Sequence, residues 1–128
     1  MNASPVTSHQ ITRGLRALGL MRGVVVAVHS SLSAFGWVEG GASTVIQALM
    51  DVVGPEGTII MSAYPVSPSL PLSDEDRALG INWKVRILPA ASTERTSMGL
   101  IADTFRQRAD VTCGSGFLRT CAWGKDAE

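Results

Sequence analysis

Two short apolar runs rich in β-branched residues, 24–29 (VVVAVH) and 58–64 (TIIMSAY), flank a segment with helical periodicity at 43–53 (STVIQALMDVV). Runs with little polar alternation are typical of strands buried on both faces of a parallel sheet. The helical segment has one apolar face, formed by Val45, Ile46, Leu49, Met50 and Val53. This strand–loop–helix–strand unit predicts an α/β fold with a mostly parallel sheet and flanking helices.

The remaining segments continue the alternation. A helix is predicted at 7–18, with Ile11, Leu15 and Leu18 on one face and Thr7 or Ser8 as its cap. The proline-rich stretch 65–80 predicts a long surface loop, and 82–89 predicts a short strand. A second amphipathic helix is expected within 96–108, and a last strand within 116–124.

Length, composition and charge exclude several classes of protein. The 128 residues are expected to form a single domain, 1–128, and 45% of them are hydrophobic, which excludes a disordered chain. A formal net charge of zero argues against nucleic-acid binding by charge alone. No apolar run is long enough to span a membrane, and the first ten residues lack the pattern of a signal peptide. We therefore expect a cytoplasmic protein without nucleic-acid or membrane partners.

The two cysteines, Cys113 and Cys121, do not have the spacing of a metal-binding pair. We interpret them as reduced thiols of a cytoplasmic protein and expect no metal.

A glycine- and serine-rich segment, 28–43 (VHSSLSAFGWVEGGAS), follows the first predicted strand. Ligands of open α/β sheets bind beyond the carboxyl ends of strands, and the N–H groups that open the next helix favour an anion. The segment lacks both the GxGxxG pattern and the lysine of a P-loop. Two interpretations stay open: a site for a small anionic ligand, or a tight turn in which Ser30 or Ser43 caps a helix.

Segments 24–64 (VVVAVHSSLSAFGWVEGGASTVIQALMDVVGPEGTIIMSAY), 95–111 (RTSMGLIADTFRQRADV) and 121–128 (CAWGKDAE) carry a family resemblance. The first resembles the N-terminal part of the aminoglycoside N(3)-acetyltransferases, with its V-H-S-S-L, G-x-V-x-G-G and V-G elements. The second and third resemble that family's M-G-x-[IL]-[AS]-E-x-F-R helix and A-W-G strand end. The chain departs from the family at Ser62 and Ala63, where the family has P-T.

The resemblance implies an α/β fold like the N-terminal half of that family's fold, and acetyl transfer of the antibiotic-resistance type. The donor would be acetyl-CoA, and the acceptor an amino group of an aminoglycoside or similar amine. Members of the family are about twice as long, and their usual base and acceptor-binding positions match nothing before Glu128. The alternative function is a catalytically inactive half-domain that binds CoA or a polyamine-like ligand.

The resemblance also implies which residues form the site. Residues expected to bind CoA are His29, Ser30, Ser31, Leu32, Ser33, Gly36, Gly40, Gly41, Arg95, Thr96, Ser97 and Met98. Tyr64 and Asp74 are candidates for contact with the acceptor, although a half-buried aromatic and a solvated acidic stretch are the simpler interpretations.

The catalytic base is unknown, and we expect the main one beyond Glu128. Two weak candidates lie within the chain. For His29 a hydrogen-bonded structural residue is the simpler interpretation, with a contact to CoA and a direct base role as the alternatives, and Glu39 would need to be buried to act as a base. Because apolar strand edges would be left uncovered, we also expect a homo-oligomer.

Overall fold

The computed structural model of the chain describes residues 4–128. Within these residues four α-helices and a 3-10 helix accompany a small sheet, and the shortest α-helix lies on the periphery. In chain order the elements are α1 (Ser8–Ala17), β1 (Val25–Ala27), a 3-10 helix (Leu32–Phe35), α2 (Ala42–Val53), β2 (Thr58–Ser62), α3 (Asp74–Ala78), α4 (Leu100–Arg106), β3 (Thr112–Cys113) and β4 (Thr120–Gly124).

The four strands form one sheet in the order β1-β2-β4-β3. β1 and β2 pair in parallel, with Val26 opposite Ile59, as a strand–helix–strand crossover requires. β4 pairs antiparallel with β2 and with β3. The predicted α/β class with flanking helices is confirmed, and within residues 4–128 the sheet is mixed, with the parallel pair at one side.

The first strand lies at the edge of this sheet and is exposed on one face. Val25 and Ala27 are exposed, whereas the same alternation directs Val26 toward the helices. The expectation that this run is buried on both faces is therefore wrong for residues 4–128. The physical reason is that β1 has β2 on one side only, and the helices cover a single face of the sheet.

The core lies between the sheet and the central helix α2. The predicted apolar face of α2 is confirmed, since all five of its residues are buried and Ile46 and Val53 have no exposed surface. α2 contacts α1, α4 and β2, which brings it against Ile59, Met61 and Phe105. Burial of each such side chain contributes about 1.5–3 kcal/mol to folding, so α2 anchors the fold.

Helix α1 confirms the predicted cap but only part of the predicted face. The backbone N–H of Gln10 donates to the Thr7 hydroxyl at 3.3 Å, and the Thr7 N–H donates to the Gln10 side chain at 2.9 Å. Ile11 is buried and Leu15 half-buried, but Leu18 is 82% exposed. Leu18 caps the end of the helix rather than continuing it, which turns its side chain to solvent.

The middle of the chain differs from the expected loop and strand. Residues 65–80 contain the short helix α3, which begins at a capping box between Ser73 and Asp76. Residues 82–89 form no strand; Ile87 makes one isolated bridge to Val66. The overlooked signal is the S-x-x-D pattern of Ser73 and Asp76, because the acidic stretch was considered only as an acceptor contact or as solvated charge.

The two cysteines form a disulfide between β3 and β4, so the expectation of reduced thiols is wrong for this structure. Cys113 and Cys121 are direct cross-strand partners, with their Cα atoms 4.0 Å apart. The pairing depends on a hairpin that sequence spacing alone does not reveal, since the CxxC rule covers only closer pairs. Cys121 is fully buried, and Cys113 is exposed.

Candidate functional site

Two segments distant in sequence meet beyond the end of β1. One is the serine-rich stretch 30–36, and the other is the stretch 95–100 that leads into α4. Between them is a cavity of about 570 Å³. Its lining residues are Ser30, Ser31, Leu32, Ser33, Gly36, Arg95, Ser97, Met98, Gly99 and Leu100.

The first wall is built by the strand and the turn that follows it. The Val28 N–H donates to the Ile60 carbonyl at 2.9 Å, which extends the pairing with β2 up to the cavity. The chain then turns through the 3-10 helix, in which Ala34 N–H donates to the Ser31 carbonyl at 3.2 Å. The hydroxyls of Ser31 and Ser33 lie 3.0 Å apart, so both face the same side of the turn.

The second wall is irregular backbone that is fixed by hydrogen bonds to residues outside the lining. The Ser97 N–H donates to the Val66 carbonyl at 2.8 Å, and the Met98 N–H donates to the Thr96 hydroxyl at 3.1 Å. Helix α4 begins only at Leu100, after Gly99, so Arg95 to Met98 do not open the helix as the sequence suggested. Gly99 has a non-helical φ of +98°, which places the helix start after it, and the Thr96 N–H is bonded to the Asp103 side chain at 2.8 Å.

The cavity presents one positive charge among neutral polar groups. Arg95 is the one charged side chain among the described residues that line it, and 62% of that side chain is exposed. Its Nε lies 3.6 Å from the Asp103 carboxylate, behind the cavity wall. A guanidinium beside serine hydroxyls is a favourable partner for a phosphate or carboxylate.

A smaller cavity of about 190 Å³ adjoins the first one and shares Ser30, Ser97 and Met98 with it. Its other lining residues are Val28, His29, Ser62 and Ala102. The imidazole of His29 is exposed and makes no hydrogen bond within residues 4–128. That environment does not support the interpretation of His29 as a hydrogen-bonded structural residue.

Most of the predicted CoA-binding residues come together here, but not all of them. Thr96 is buried behind the wall, and Gly40 and Gly41 lie outside the lining, at the start of α2. Glu39 is exposed, so the burial that a base role requires is absent. The geometry alone does not test whether these four residues contact a ligand, so their roles stay predictions.

The two acceptor candidates line neither cavity. The Tyr64 ring stacks on Phe117, with centroids 6.3 Å apart. Asp74 sits in the first turn of α3 and pairs with Arg77 at 3.3 Å. Their proposed contact with an acceptor stays a prediction.

Sequence reasoning missed the buried Asp103 and five lining residues, which are Val28, Ser62, Gly99, Leu100 and Ala102. Gly99 and Ser62 line the cavities, and Asp103 holds the second wall although its side chain is only 3% exposed. The helical pattern carried no signal for Asp103, because successive residues are about 100° apart on a helix and Asp103 falls outside the apolar face of Met98, Ile101, Ala102 and Phe105.

No group of three or more histidine, cysteine or acidic side chains arranged to hold a metal ion occurs in residues 4–128. Over the same residues, no helix combines the length and apolar character needed to cross a membrane.

Comparison with known proteins gives a consistent family. Residues 27–128 match the family described as aminoglycoside 3-N-acetyltransferase. The chain is 42% identical, over 94% of its length, to the SPbeta prophage-derived aminoglycoside N(3')-acetyltransferase-like protein YokD of Bacillus subtilis (strain 168). It covers 47% of that relative, so the chain spans about half the length of the curated relative it matches.

Solved structures give the same result. The crystal structure of YokD superposes with a TM-score of 0.74 at 38% identity, covering 98% of this chain and 50% of YokD. AAC-IIIb in its binary complex with CoASH superposes with a TM-score of 0.70 at 26% identity, covering 97% of this chain and 48% of that one. AAC-VIa bound to sisomicin gives a TM-score of 0.71 at 25% identity, with 97% and 48% covered.

Proposed function

The chain belongs to the aminoglycoside 3-N-acetyltransferase family, and from this membership we propose that it holds the acetyl donor for acetyl transfer to an aminoglycoside amine. The observation that carries the proposal is the cavity between residues 30–36 and 95–100, with Arg95 as its charged lining residue. The related AAC-IIIb was solved in complex with CoASH, which supports coenzyme A as the ligand of this chain.

The cavity matches the chemistry of coenzyme A. A guanidinium binds a phosphate through two parallel hydrogen bonds, a role available to the exposed Arg95. The hydroxyls of Ser31 and Ser33 suit the amides of the pantetheine arm, which both donate and accept. The smaller cavity beside Ser62 and His29 then has the size and position for the acetyl thioester end.

Acetyl transfer makes one bond and breaks another. The amine nitrogen of the acceptor attacks the thioester carbonyl carbon, a C–N bond forms, the C–S bond breaks and coenzyme A leaves as a thiolate. Backbone N–H groups of the stretch 30–33 are candidates to stabilise the negative charge on the carbonyl oxygen. The ammonium proton passes to a general base, a contribution worth about 10²–10⁴-fold in rate.

Among the groups that the reaction needs, the general base has the weakest candidates in this chain. His29 borders the smaller cavity, and Glu39 is exposed outside both cavities. The chain spans about half the length of its relatives. We therefore assign donor binding to this half and place the principal base and the acceptor site in the other half of a protein of the relatives' length.

The acceptor is proposed to be an aminoglycoside amine, since the related AAC-VIa was solved with sisomicin bound. The cytoplasm is the proposed location, because the acetyl donor is available there.

Calorimetry with CoA tests the proposal on the 128-residue chain. Arg95→Ala is expected to weaken binding by at least about tenfold, the scale of a lost charge-assisted hydrogen bond. Arg77→Ala is the matched control, because its side chain is 61% exposed and pairs with a carboxylate at 3.3 Å outside the cavity. Pantetheine, which lacks the phosphates, should bind equally to wild type and Arg95→Ala. A folded chain that does not bind CoA would refute the proposal.

A second candidate function is a CoA-binding module without turnover, favoured by the exposure of Glu39 and the half-length coverage. Thiol release from acetyl-CoA in the presence of an aminoglycoside distinguishes the two. CoA binding without thiol release supports the module, and release above the rate without acceptor supports complete transfer.

A further inference from the structure

Asp103 is buried within α4 and uses both of its carboxylate oxygens. Its side chain is 3% exposed, and its neighbours Ala102 and Phe105 belong to the hydrophobic core. One oxygen accepts from the Thr96 N–H at 2.8 Å, and the other accepts from the Thr96 hydroxyl. The carboxylate lies on a core helix, yet it accepts two hydrogen bonds from Thr96, which belongs to the irregular stretch before that helix.

Arg106 completes this unit from one helical turn further along. Its Nε is 3.4 Å from Asp103, and its two terminal nitrogens donate to the Ser92 and Glu94 carbonyls, each at 2.8 Å. A buried carboxylate is tolerated only when it is paired and hydrogen-bonded, and Arg106 supplies the compensating charge. Asp103 and Arg106 together fix the backbone from residue 92 to residue 96.

The backbone fixed in this way, residues 92–96, leads directly into the wall of the cavity. Thr96 lies between Arg95 and Ser97, which both line the cavity, and its hydroxyl also accepts from the Met98 N–H at 3.1 Å. Asp103 also lies 3.6 Å from the Arg95 Nε, so it sets the direction of that guanidinium without lining the cavity itself.

We propose that Asp103 is a positioning residue that, through Thr96, holds Arg95 toward the phosphate of the bound coenzyme A. This inference rests on the proposed function and goes beyond it, because it assigns affinity to a residue that does not touch the ligand. An asparagine at this position has one acceptor oxygen in place of two. Asp103→Asn therefore removes the negative charge that faces the Arg95 and Arg106 guanidiniums, and it keeps a second contact to Thr96 only by donating its amide N–H to the hydroxyl.

A double-mutant cycle measured by calorimetry with CoA tests the inference. Asp103→Asn is expected to weaken CoA binding about tenfold in the wild-type background and less than twofold in the Arg95→Ala background. Its thermal midpoint should fall in both backgrounds, and by less in Arg95→Ala, which already lacks the 3.6 Å ion pair with Asp103. A merely structural role would lower affinity equally in both, and that additive outcome would overturn the inference.

A milder pair of variants covers the case in which Asp103→Asn does not fold. Thr96→Val removes the hydroxyl and should weaken CoA binding, whereas Thr96→Ser keeps both bonds to Asp103 and should restore it. Equal affinities for these two variants would contradict the inference while leaving the proposed function intact. A folded wild-type chain that does not bind CoA would instead overturn the proposed function and this role with it.

Discussion

Arg119 shows how a single buried side chain joins distant parts of this small fold. Its Nε donates to the Ala63 carbonyl at 2.7 Å and one terminal nitrogen donates to the Ala90 carbonyl at 3.0 Å. Burial lowers the pKa of Arg119, the nearby Arg106 lowers it further, and Asp103 opposes both effects. The guanidinium therefore braces the end of β2 against the loop that leads to the cavity, at a cost in desolvation that its hydrogen bonds offset.

The Cys113–Cys121 disulfide is a second connection of this kind, and its loss should be measurable. Because it closes a loop with a sequence separation of 8, chain-entropy arguments assign it about 2–3 kcal/mol. Cys113→Ser is the suitable variant, since Cys113 is exposed and a hydroxyl there buries no polar group. Its thermal midpoint should fall relative to the oxidised wild type, by denaturation followed with circular dichroism.

Reduction of the wild type provides the control for that measurement. A reducing agent should lower the midpoint of the wild type to that of Cys113→Ser and leave the variant unchanged. A thiol count on freshly prepared, untreated protein checks the disulfide directly and should find no free thiol among Cys113 and Cys121. Two free thiols in the untreated native chain would contradict the disulfide.

At the scale of helices and strands, hydrophobic periodicity correctly predicted the features that depend on local sequence. The apolar face of α2, the cap at Thr7 and the parallel pair of β1 and β2 could be predicted, because the helical repeat and the β-branched runs are local signals. The edge position of β1 could not be predicted, because strand order depends on long-range pairing. The serine loop was correctly placed at a strand end.

The second wall of the site was harder to predict for a related reason. The amphipathic pattern of residues 96–108 correctly indicated α4 but placed its start too early. The start is set by Gly99, whose φ of +98° lies outside the helical region, so the helix begins at Leu100. A glycine inside an amphipathic pattern is compatible with a continuous helix or with a break, so periodicity alone does not locate this start.

The pairing of β2 with β4 has a glycine requirement that can be tested. Gly124 has a φ of +112°, and a Cβ there would clash with the Gly57 carbonyl and lie 3.0 Å from the Thr58 Cα. Gly80 also has a positive φ, +78°, but a Cβ there would meet open space. Gly80→Ala should therefore cost about 1–2 kcal/mol from the backbone alone, and Gly124→Ala clearly more, because backbone must also shift.

Denaturant unfolding of both alanine variants gives the difference directly. The excess loss for Gly124→Ala over Gly80→Ala measures the close approach of β4 to the turn before β2. Equal losses would mean that this approach is looser than the structure has it.

At the scale of the whole molecule, the sheet has a covered face and an open face. The helices pack over Ile59 and Met61. The register places Ala27, Ile60 and Ala122 side by side across three strands on the opposite face. Val25 extends that face to the free edge of β1 and is 60% exposed. An apolar face that runs into an open strand edge favours association with another chain.

We therefore expect the isolated 128-residue chain to self-associate through this open face. Sedimentation velocity should show a dimer or larger species at tens of micromolar. Val25→Lys should shift the chain toward monomer, because a charged side chain on an edge strand opposes pairing, and the exposure of Val25 keeps the cost to folding small. Leu18→Lys is the charge-matched control, because Leu18 is 82% exposed and lies at the end of α1, outside the sheet. A wild-type chain that stays monomeric at high micromolar concentration, or an equal effect of both lysine variants, would contradict association through the open face of the sheet.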